Sequence, residues 1–255
     1  MHQQDSTNRF SNRVSDYKKY RPHYPKEIVL FLQAQYGLSP QKTIADIGAG
    51  TGISSLLFLE LDYTVIAVEP NAAMRAAASA DLKEYSKFSA LDGTAEHTLL
   101  PDHSVDAVVA AQAFHWFDKV PVRKEFQRIL KPDGYVVLIW NERLVRTEFE
   151  QAYDQLILKY AIDYVQISHR NVDYESIKDF FAPNSCTEQL FANQQLFDFE
   201  GLKGRLLSSS YMPKQENPVY EEMINDLKKL FAHYQQDNKI RIGYETKVYV
   251  GSLRL

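Results

Sequence analysis

The sequence is poor in the features that mark secreted, membrane-spanning and metal-binding proteins. Its single cysteine, Cys186, excludes an internal disulfide framework and favours a reducing compartment. No apolar run approaches the roughly 18 residues of a membrane-spanning helix, and the polar residues 1–10 lack the apolar segment of a signal peptide. No Cys/His cluster has the spacing of metal ligands, so we expect no metal. These absences predict a cytoplasmic protein.

A strong positive charge is missing as well. The 29 Lys and Arg residues are outnumbered by 33 Asp and Glu residues, which gives a formal net charge of −4. Such a chain has no global field that attracts nucleic acid or an anionic membrane, and no basic stripe is present. We therefore expect neither partner. The 255 residues suffice for one large α/β domain or two small ones.

The most informative stretch, Thr43–Glu69, is typical of a strand–loop–helix–strand unit. Residues 43–47 and 63–68 are apolar strands, and residues 53–61 have helical spacing. Between them, glycines at positions 48, 50 and 52 remove every second Cβ from the loop, which lets a ligand approach the backbone closely. Glu69 ends the second strand, where an acidic side chain can bind ribose hydroxyls.

The glycine spacing separates this loop from the common dinucleotide fingerprint. That fingerprint requires G-x-G-x-x-G, and Gly48 and Gly50 fit its first two positions. The third position holds Ile53, however, and a glycine stands one place earlier at Gly52. A nicotinamide site and a plain tight turn are the competing interpretations, and Asp46, two residues before the loop, favours neither.

Strands and helices alternate along the first 140 residues, which predicts a parallel sheet covered by helices on both faces. Further strands are expected at residues 86–91, 105–110 and 135–140, with helices at 26–36, 72–84 and 118–130. Ligands of such sheets bind outside the carboxyl ends of the strands. The loops 92–96 and 111–117 therefore belong beside the glycine loop.

The second of these loops is rich in aromatic side chains. Phe114, His115, Trp116 and Phe117 can wall a pocket, and imidazole and indole N–H groups can donate hydrogen bonds to an anionic substrate. We expect His115 to line the pocket. A role for His115 as catalytic base is the less favoured alternative, and a purely structural histidine is a third.

The two ends of the chain depart from this alternation. Residues 10–25 mix tyrosines and arginines with Pro22 and Pro25, which predicts either a lid or a surface segment. Helices at 148–164 and 171–181 predict a cap over the site, or else a peripheral pair. Strands at 187–199 and 239–250 are expected to pair antiparallel. We predict one domain, residues 1–255, with a lid (1–25), a cofactor-binding core (26–141), a helical cap insertion (142–186) and a sheet-completing part (187–255).

Three stretches carry a resemblance to a known family. They are FSNRVSDYKKYRPHYP, ADIGAGTG and SVDAVVAAQAFHWFD. The sequence resembles class I methyltransferases that use S-adenosylmethionine, and more narrowly the small-molecule group that includes trans-aconitate methyltransferase. The resemblance implies a Rossmann-like, seven-stranded, mostly parallel sheet with helices on both faces. It also implies S-adenosylmethionine as cofactor and S-adenosylhomocysteine as product.

The resemblance also implies cofactor contacts at matching positions. The glycine-loop residues Gly48, Ala49, Gly50 and Gly52 approach the methionine part, with Asp46 beneath them. Glu69 binds the ribose. The other implied contacts are Thr94, Ala95, Glu96, Ala111, Gln112 and Tyr20. Tyr20 and Arg21 would cover the cofactor and meet its carboxylate or the substrate. Many relatives carry Asp at the Thr94 position, so Asp92 and Thr94 are the less certain contacts.

The favoured function is O-methylation of a small carboxylate, with an organic acid as the expected partner. A carboxylate is already ionised at neutral pH and needs no general base, so Arg21, His115 and Trp116 would hold and orient it. Two alternatives stay open: a phenol, amine or carbon acceptor with His115 as base, and a cofactor-binding regulator without catalysis. The sequence leaves the oligomeric state open between monomer and homodimer.

Overall fold

The computed structural model describes residues 19–162 and 174–254, and its centre is a seven-stranded sheet. The strands run in the order β3-β2-β1-β4-β5-β7-β6, and only β7 is antiparallel to its neighbours. Their bounds are β1 Thr43–Ile47, β2 Thr64–Val68, β3 Phe88–Leu91, β4 Val105–Ala111, β5 Leu130–Arg143, β6 Cys186–Phe197 and β7 Ile240–Gly251. The prediction of a mostly parallel seven-stranded sheet is confirmed, as is the antiparallel pairing of the last two strands.

Eight α-helices of 7 to 15 residues connect and cover these strands within the described chain. They are α1 Glu27–Tyr36, α2 Ile53–Leu59, α3 Ala72–Asp81, α4 Lys119–Ile129, α5 Glu148–Tyr160, α6 Tyr174–Phe181, α7 Phe199–Leu207 and α8 Tyr220–Tyr234. Side-chain caps fix several starts. Asn71 accepts a hydrogen bond from the amide of Met74 at 3.0 Å, and Thr147 begins α5 in a capping box with Glu150.

Strand β4 lies at the middle of the sheet because every residue in it can be buried. Its sequence, VDAVVAA, is small or β-branched except at Asp106, whose carboxylate pairs with Lys42 and Lys131, and all seven residues are buried. It pairs in parallel with β1 on one side and β5 on the other. The carboxyl ends of β1, β2, β3, β4 and β5 therefore meet at one edge, and the site lies there.

Two hydrophobic cores cover the two faces of the sheet. One face packs against α1 and α2 through Ile28, Leu32 and Phe58. The other packs against α4 and α6 through Phe126 and Phe181. Both cores contain strand residues of β4 on alternate positions, as the two-residue repeat of a strand requires.

A third core, which we name the helical cluster, joins α5, α7 and α8 to the ends of β6 and β7. Its buried members are Phe149, Tyr153, Leu156, Ile157, Tyr160, Phe197, Leu202, Leu206, Met212, Met223, Ile224, Leu227, Phe231, Ile240, Ile242 and Tyr244. The predicted cap therefore divides, because α5 belongs to the helical cluster whereas α6 covers a face of the sheet. A capping role for residues 142–186 stays a prediction.

Several predicted boundaries shift. Strand β5 begins at Leu130 rather than 135, because its register against β4 is irregular between Val105 and Ala107 and the backbone stays extended through that bulge. Helix α5 ends at Tyr160 instead of 164. Of the predicted lid, residues 1–18 lie outside the described chain, as do residues 171–173 of the predicted second cap helix.

Candidate functional site

The glycine loop between β1 and α2 has the left-handed backbone that its sequence predicts. Gly48, Gly50 and Gly52 have φ values of 69°, 57° and 82°, which side chains with a Cβ rarely adopt. A Cβ on Gly48 would lie 2.7 Å from the Cβ of Ala113, and one on Gly52 would lie 2.7 Å from Leu82. At Gly50 the nearest atom, Sδ of Met74, is 3.7 Å away. The loop is thus closed behind and open towards the cavity.

Glu69 connects the end of β2 to this loop. Its Oε2 accepts a hydrogen bond from the amide of Gly50 at 2.9 Å, and its Oε1 accepts one from the amide of Asn71 at 2.8 Å. The residue is 7% exposed, and burial raises the pKa of its carboxyl group above the ordinary value. The carboxylate is fixed at the cavity wall, where a pair of ribose hydroxyls could donate to it.

Asp46 lies beneath the loop rather than in the cavity. It is fully buried, and its Oδ2 accepts hydrogen bonds from the hydroxyls of Ser54 and Ser55 at 2.7 and 2.6 Å. Burial raises its pKa to about 6, although the two serine hydroxyls oppose the shift. Within the described chain Oδ1 has no hydrogen-bond partner. A negative charge therefore lies just behind the predicted binding position of the cationic methionine part.

The two flanking loops complete the cleft. Thr94, Ala95 and Glu96 line it after β3, and Ala111 and Gln112 line it after β4. Glu96 accepts a hydrogen bond from the amide of Asp118 at 3.1 Å, which ties the two loops together. Gln112 has a left-handed backbone with a φ of 56°, and its side chain donates to the carbonyl of Asn141 at 3.2 Å. Strain at a non-glycine residue in a cleft is typical of functional positions.

The structure therefore gathers most of the predicted cofactor residues around one cavity of about 650 Å³. The predicted members that line it are Arg21, Gly48, Ala49, Gly50, Glu69, Thr94, Ala95, Glu96, Ala111, Gln112 and Trp116. Asp46, Gly52, Tyr20 and His115 do not line it. Its size fits a nucleoside-sized ligand together with part of a small acceptor.

His115 and Trp116 diverge although they are neighbours. They lie in a single 3-10 turn, Phe114–Trp116, and this turn directs the indole to the cavity while both imidazole nitrogens are buried. The ring centroids are 4.8 Å apart. Burial, with a smaller contribution from Lys119, lowers the pKa of His115 to about 4. The imidazole is thus neutral and weakly basic at neutral pH.

Residues 19–25 of the predicted lid lie across the carboxyl edge of the sheet. The ring of Tyr20 packs so closely on α7 that a Cβ on Gly204 would lie 2.2 Å from it. The Nη2 of Arg21 donates to the carbonyl of Ser208 at 3.3 Å. Tyr20 is therefore a packing residue of the helical cluster in this structure, whereas Arg21 reaches both that cluster and the cavity.

Three amide side chains that the sequence analysis did not single out hold this segment. Asn193 donates to the carbonyl of His23 at 2.7 Å, and Gln195 donates to that of Tyr20 at 3.2 Å. Asn141 donates to the carbonyls of Pro22 and His23. Asn141 directly follows the strand predicted at residues 135–140, and this position was a signal. Asn193 and Gln195 lie 170 and 175 residues from their partners in the chain, and no local signal indicated them.

Two further cavity residues could have been found from their position. Asn71 and Met74 line the cavity and come two and five residues after Glu69, on the cap and first turn of α3. Neither was predicted as a site residue, although Glu69 was. Residues that follow a ribose-binding acid are placed at the same cleft, because they begin the next helix at the carboxyl edge of the sheet.

Two further findings concern metal binding and membrane crossing. Within residues 19–162 and 174–254, no group of three or more His, Cys, Asp or Glu side chains has a geometry suited to a metal ion. Over the same residues, no helix combines the length and apolar character needed to cross a bilayer.

Comparisons with known proteins agree with the geometry of the cleft. Residues 45–138 match the methyltransferase domain family. An uncharacterized methyltransferase of Schizosaccharomyces pombe is 27% identical over 94% of this chain and 95% of its own length. An uncharacterized methyltransferase of Mycobacterium bovis is 36% identical over 58% of each chain. A solved structure from Anaeromyxobacter dehalogenans, provisionally assigned as a type II methyltransferase, has a TM-score of 0.69 at 22% identity and covers 92% of this chain and 99% of that one.

The domain match, the relatives and the fold show that this chain is similar to methyltransferases, and the cofactor expected from its sequence is S-adenosylmethionine. The chain's own residues fit that cofactor: the glycine loop leaves room at Gly50, Glu69 offers fixed acceptors at the wall, and Asp46 supplies a negative charge below. The trans-aconitate-like subgroup stays a prediction.

Proposed function

We propose that this chain, an S-adenosylmethionine-dependent methyltransferase, transfers the methyl group to a carboxylate oxygen of a small organic acid. The observation that carries the proposal is a cationic side chain at the cavity wall, beside a histidine that is buried and does not line the cavity. Arg21 lines the cavity from the lid side, and the nearby imidazole of His115 has its pKa lowered to about 4 by burial.

The chemistry explains why these two facts belong together. When bound, the cofactor supplies an electrophilic methyl group on a sulfonium, which an ionised carboxylate displaces without giving up a proton. The protein then has only to position the acid and exclude competing nucleophiles. A phenol or an amine would need a base with a pKa near the working pH, and His115 is far from that condition.

Each predicted catalytic residue has a role in this proposal. The guanidinium of Arg21 pairs with the acid and orients it, since its planar donors match a carboxylate. Trp116, 36% exposed at the cavity wall, supplies an apolar surface and an indole N–H donor. His115 supports the Trp116 ring from behind and remains neutral.

The proposed cofactor contacts follow the geometry of the cleft. Glu69 accepts hydrogen bonds from the ribose, the loop from Gly48 to Gly52 borders the methionine part, and Thr94–Glu96 border the adenine. The backbone of Ala111 and Gln112 faces the methionine chain, and Tyr20 holds the lid segment on α7 rather than touching the cofactor. The hydroxyl of Thr94 accepts a hydrogen bond from the amide of His97 at 3.1 Å.

Two other functions compete with this one. A phenol, amine or carbon acceptor with His115 as base requires that imidazole to move into the cavity. A cofactor-binding regulator without catalysis requires the acceptor side of the cavity to be closed. We further propose a small-molecule acceptor, no nucleic-acid or membrane partner, a cytoplasmic location, and a monomer or homodimer.

A matched substrate panel tests the proposal. Small mono-, di- and tricarboxylic acids are incubated with the protein and S-adenosylmethionine, beside the corresponding primary amides, phenols and amines, and the formation of S-adenosylhomocysteine is measured. We expect turnover with at least one acid and none with its amide. Turnover with phenols or amines alone would replace this function with the base-assisted one, and cofactor binding without turnover on any compound would favour the regulator.

A further inference from the structure

A second guanidinium lies near Arg21, on helix α7. The Nε of Arg205 donates to the hydroxyl of Tyr244 at 3.0 Å. Its Nη1 donates to the hydroxyls of Ser208 and Ser209 at 3.4 and 3.3 Å. These three hydroxyls come from α7, the turn after it and β7, so the guanidinium is held in one orientation by neutral groups.

Arg205 has no carboxylate partner within the described chain, although it is partly buried. Arg143, the strand partner of Tyr244, is by contrast paired, because it forms an ion pair with Asp154 at 2.5 Å. Burying a charge without a counter-ion is costly. An arginine that is oriented by hydroxyls and left without an anion is typical of a binding residue whose counter-ion is the ligand.

The surroundings of Arg205 are neutral and aromatic. The ring centroid of Tyr244 lies 6.0 Å from its guanidinium carbon, and Tyr153 is buried in the same cluster. Burial raises the pKa of Tyr153 well above its ordinary value, so this phenol stays protonated at neutral pH. The positive charge of Arg205 is therefore not neutralised by its tyrosine neighbours.

The position of Arg205 connects it to the cavity. Tyr244 pairs with Arg143 at the carboxyl end of β5, the edge of the sheet at which the cofactor residues gather. Ser208 bridges the two guanidiniums, because its carbonyl accepts from Arg21 at 3.3 Å while its hydroxyl accepts from Arg205 at 3.4 Å. Arg21 in turn lines the cavity. Two positive charges thus flank one serine; Arg21 lines the cavity of about 650 Å³, whereas Arg205 is joined to it only through Ser208.

We propose that Arg205, together with Arg21 across Ser208, binds the carboxylate of the methyl acceptor and sets its specificity for acids. This inference rests on the proposed function, because it assigns a residue to the acid that the cavity takes. The side chain acts in binding and orientation; it takes no part in bond making. A guanidinium fork held by Tyr244 and two serines is already ordered before the acid arrives, so little conformational entropy is lost on binding.

Calorimetric titration with defined acids tests Arg205 directly. The wild-type protein, saturated with S-adenosylhomocysteine, is titrated with succinate, tricarballylate and benzoate, and with succinamide as the neutral comparator. We expect at least one acid to bind and succinamide not to bind. Arg205→Met should lower the affinity for the acid at least ten-fold and leave the affinity for S-adenosylhomocysteine within two-fold of wild type.

Two variants separate a binding role from a structural one. Arg241→Met, a change at an exposed arginine on β7, should alter neither affinity. Arg205→Lys keeps the charge and loses the planar fork. We therefore expect a three- to ten-fold lower affinity for the acid and an unchanged melting temperature of the protein. If Arg205→Met fails to fold, Arg205→Lys decides alone. Unchanged acid affinity in the folded Arg205 variants, or no binding of any acid to the wild type, overturns the inference.

Turnover distinguishes failure of this inference from failure of the proposed function. If the wild type and Arg205→Met methylate an acid with the same KM, the role of Arg205 is overturned and the methylation of acids stands. An acid that binds through Arg205 and is never methylated would support the binding residue and overturn the methylation of acids.

Discussion

Glu69 and Gly50, nineteen residues apart in sequence, are joined across the cleft by a hydrogen bond of 2.9 Å from the loop amide to the carboxylate. The bond fixes the glycine loop against the end of β2, and the second oxygen of Glu69 is fixed in the same way by Asn71. Loop and acidic side chain thus form one rigid unit, and a ligand that binds to either meets both.

The first prediction concerns this unit. Glu69→Gln keeps the size of the side chain, but its amide nitrogen cannot accept a hydrogen bond from a backbone amide or a hydroxyl. We expect the affinity for S-adenosylmethionine to fall at least ten-fold in calorimetric titration. The control variant Glu84→Gln, an exposed change near the end of α3, should bind the cofactor with the affinity of the wild type. Full affinity in Glu69→Gln would remove the ribose contact from the account.

The second prediction compares two glycines with similar backbones. Gly37 and Gly48 have φ values of 62° and 69°, but a Cβ on Gly37 meets open space whereas one on Gly48 meets the Cβ of Ala113 at 2.7 Å. Gly37→Ala should therefore cost only backbone strain, about 1 kcal/mol. Gly48→Ala should lower the free energy of unfolding by a further ~1–3 kcal/mol and abolish cofactor binding.

Urea unfolding and cofactor titration of the two variants check this prediction. The Gly37→Ala protein serves as the control for strain, since it lies at the end of α1 and away from the cavity. Equal stability and equal cofactor affinity of the two alanine variants would show that the loop tolerates a side chain towards Ala113.

The third prediction follows from the burial of Asp46. Its pKa is raised to about 6 in the folded protein, so the folded state loses stability as the pH rises from about 4 through 6. Asp46→Asn removes this dependence. Between pH 4.5 and 7.5 the free energy of unfolding of the variant should gain about 2 kcal/mol relative to the wild type.

Urea unfolding of both unliganded proteins across that pH range measures the difference. Ser54 and Ser55 still find an oxygen acceptor in the asparagine, so the variant should stay folded. If the difference in free energy of unfolding between Asp46→Asn and the wild type does not change with pH, Asp46 ionises near its ordinary pKa.

The fourth prediction concerns the pH dependence of turnover. Burial lowers the pKa of His115 to about 4, so the imidazole is neutral throughout pH 6–8 and its ionisation should contribute no change in the turnover of an acid over that range. His115→Ala should raise the KM of the acid a few-fold, since the support of Trp116 is lost, and leave kcat nearly unchanged. A collapse of kcat that high pH restores would instead identify His115 as a base.

Local patterns in the sequence were sufficient for the core of the fold and for many of the residues that line the cavity. The glycines at 48, 50 and 52 predicted a loop that only such residues can form, and Glu69 was predicted at the end of the next strand; both are local signals. The alternation of strands and helices predicted which ends meet, because parallel strands share one edge.

The proposed acceptor half of the site depends on contacts between distant segments, which no local sequence pattern indicates. Arg205 is oriented by Tyr244, thirty-nine residues away, and the lid is held by Asn193, 170 residues from His23. His115 and Trp116 were predicted to share a pocket, yet one 3-10 turn directs them differently. Adjacent residues on a turn diverge by a rotation that residue type alone does not reveal.

The division of the predicted cap has a similar cause. Helices α5 and α6 are both amphipathic, and their apolar stripes are equally suited to a sheet face or to other helices. Phe149 and Tyr153 of α5 pack with α7 and α8, whereas Phe180 of α6 packs with α4. The choice is made by which partners lie within reach in the folded chain.

The chemical nature of the methylated product tests the central claim most directly. An acid from the substrate panel is incubated with the protein and S-adenosylmethionine that carries a labelled methyl group, and the product is treated with mild alkali. We predict that alkali releases the label as methanol, as it does from a methyl ester. Label that survives alkali, held on nitrogen, carbon or a phenolic oxygen, would contradict transfer to a carboxylate.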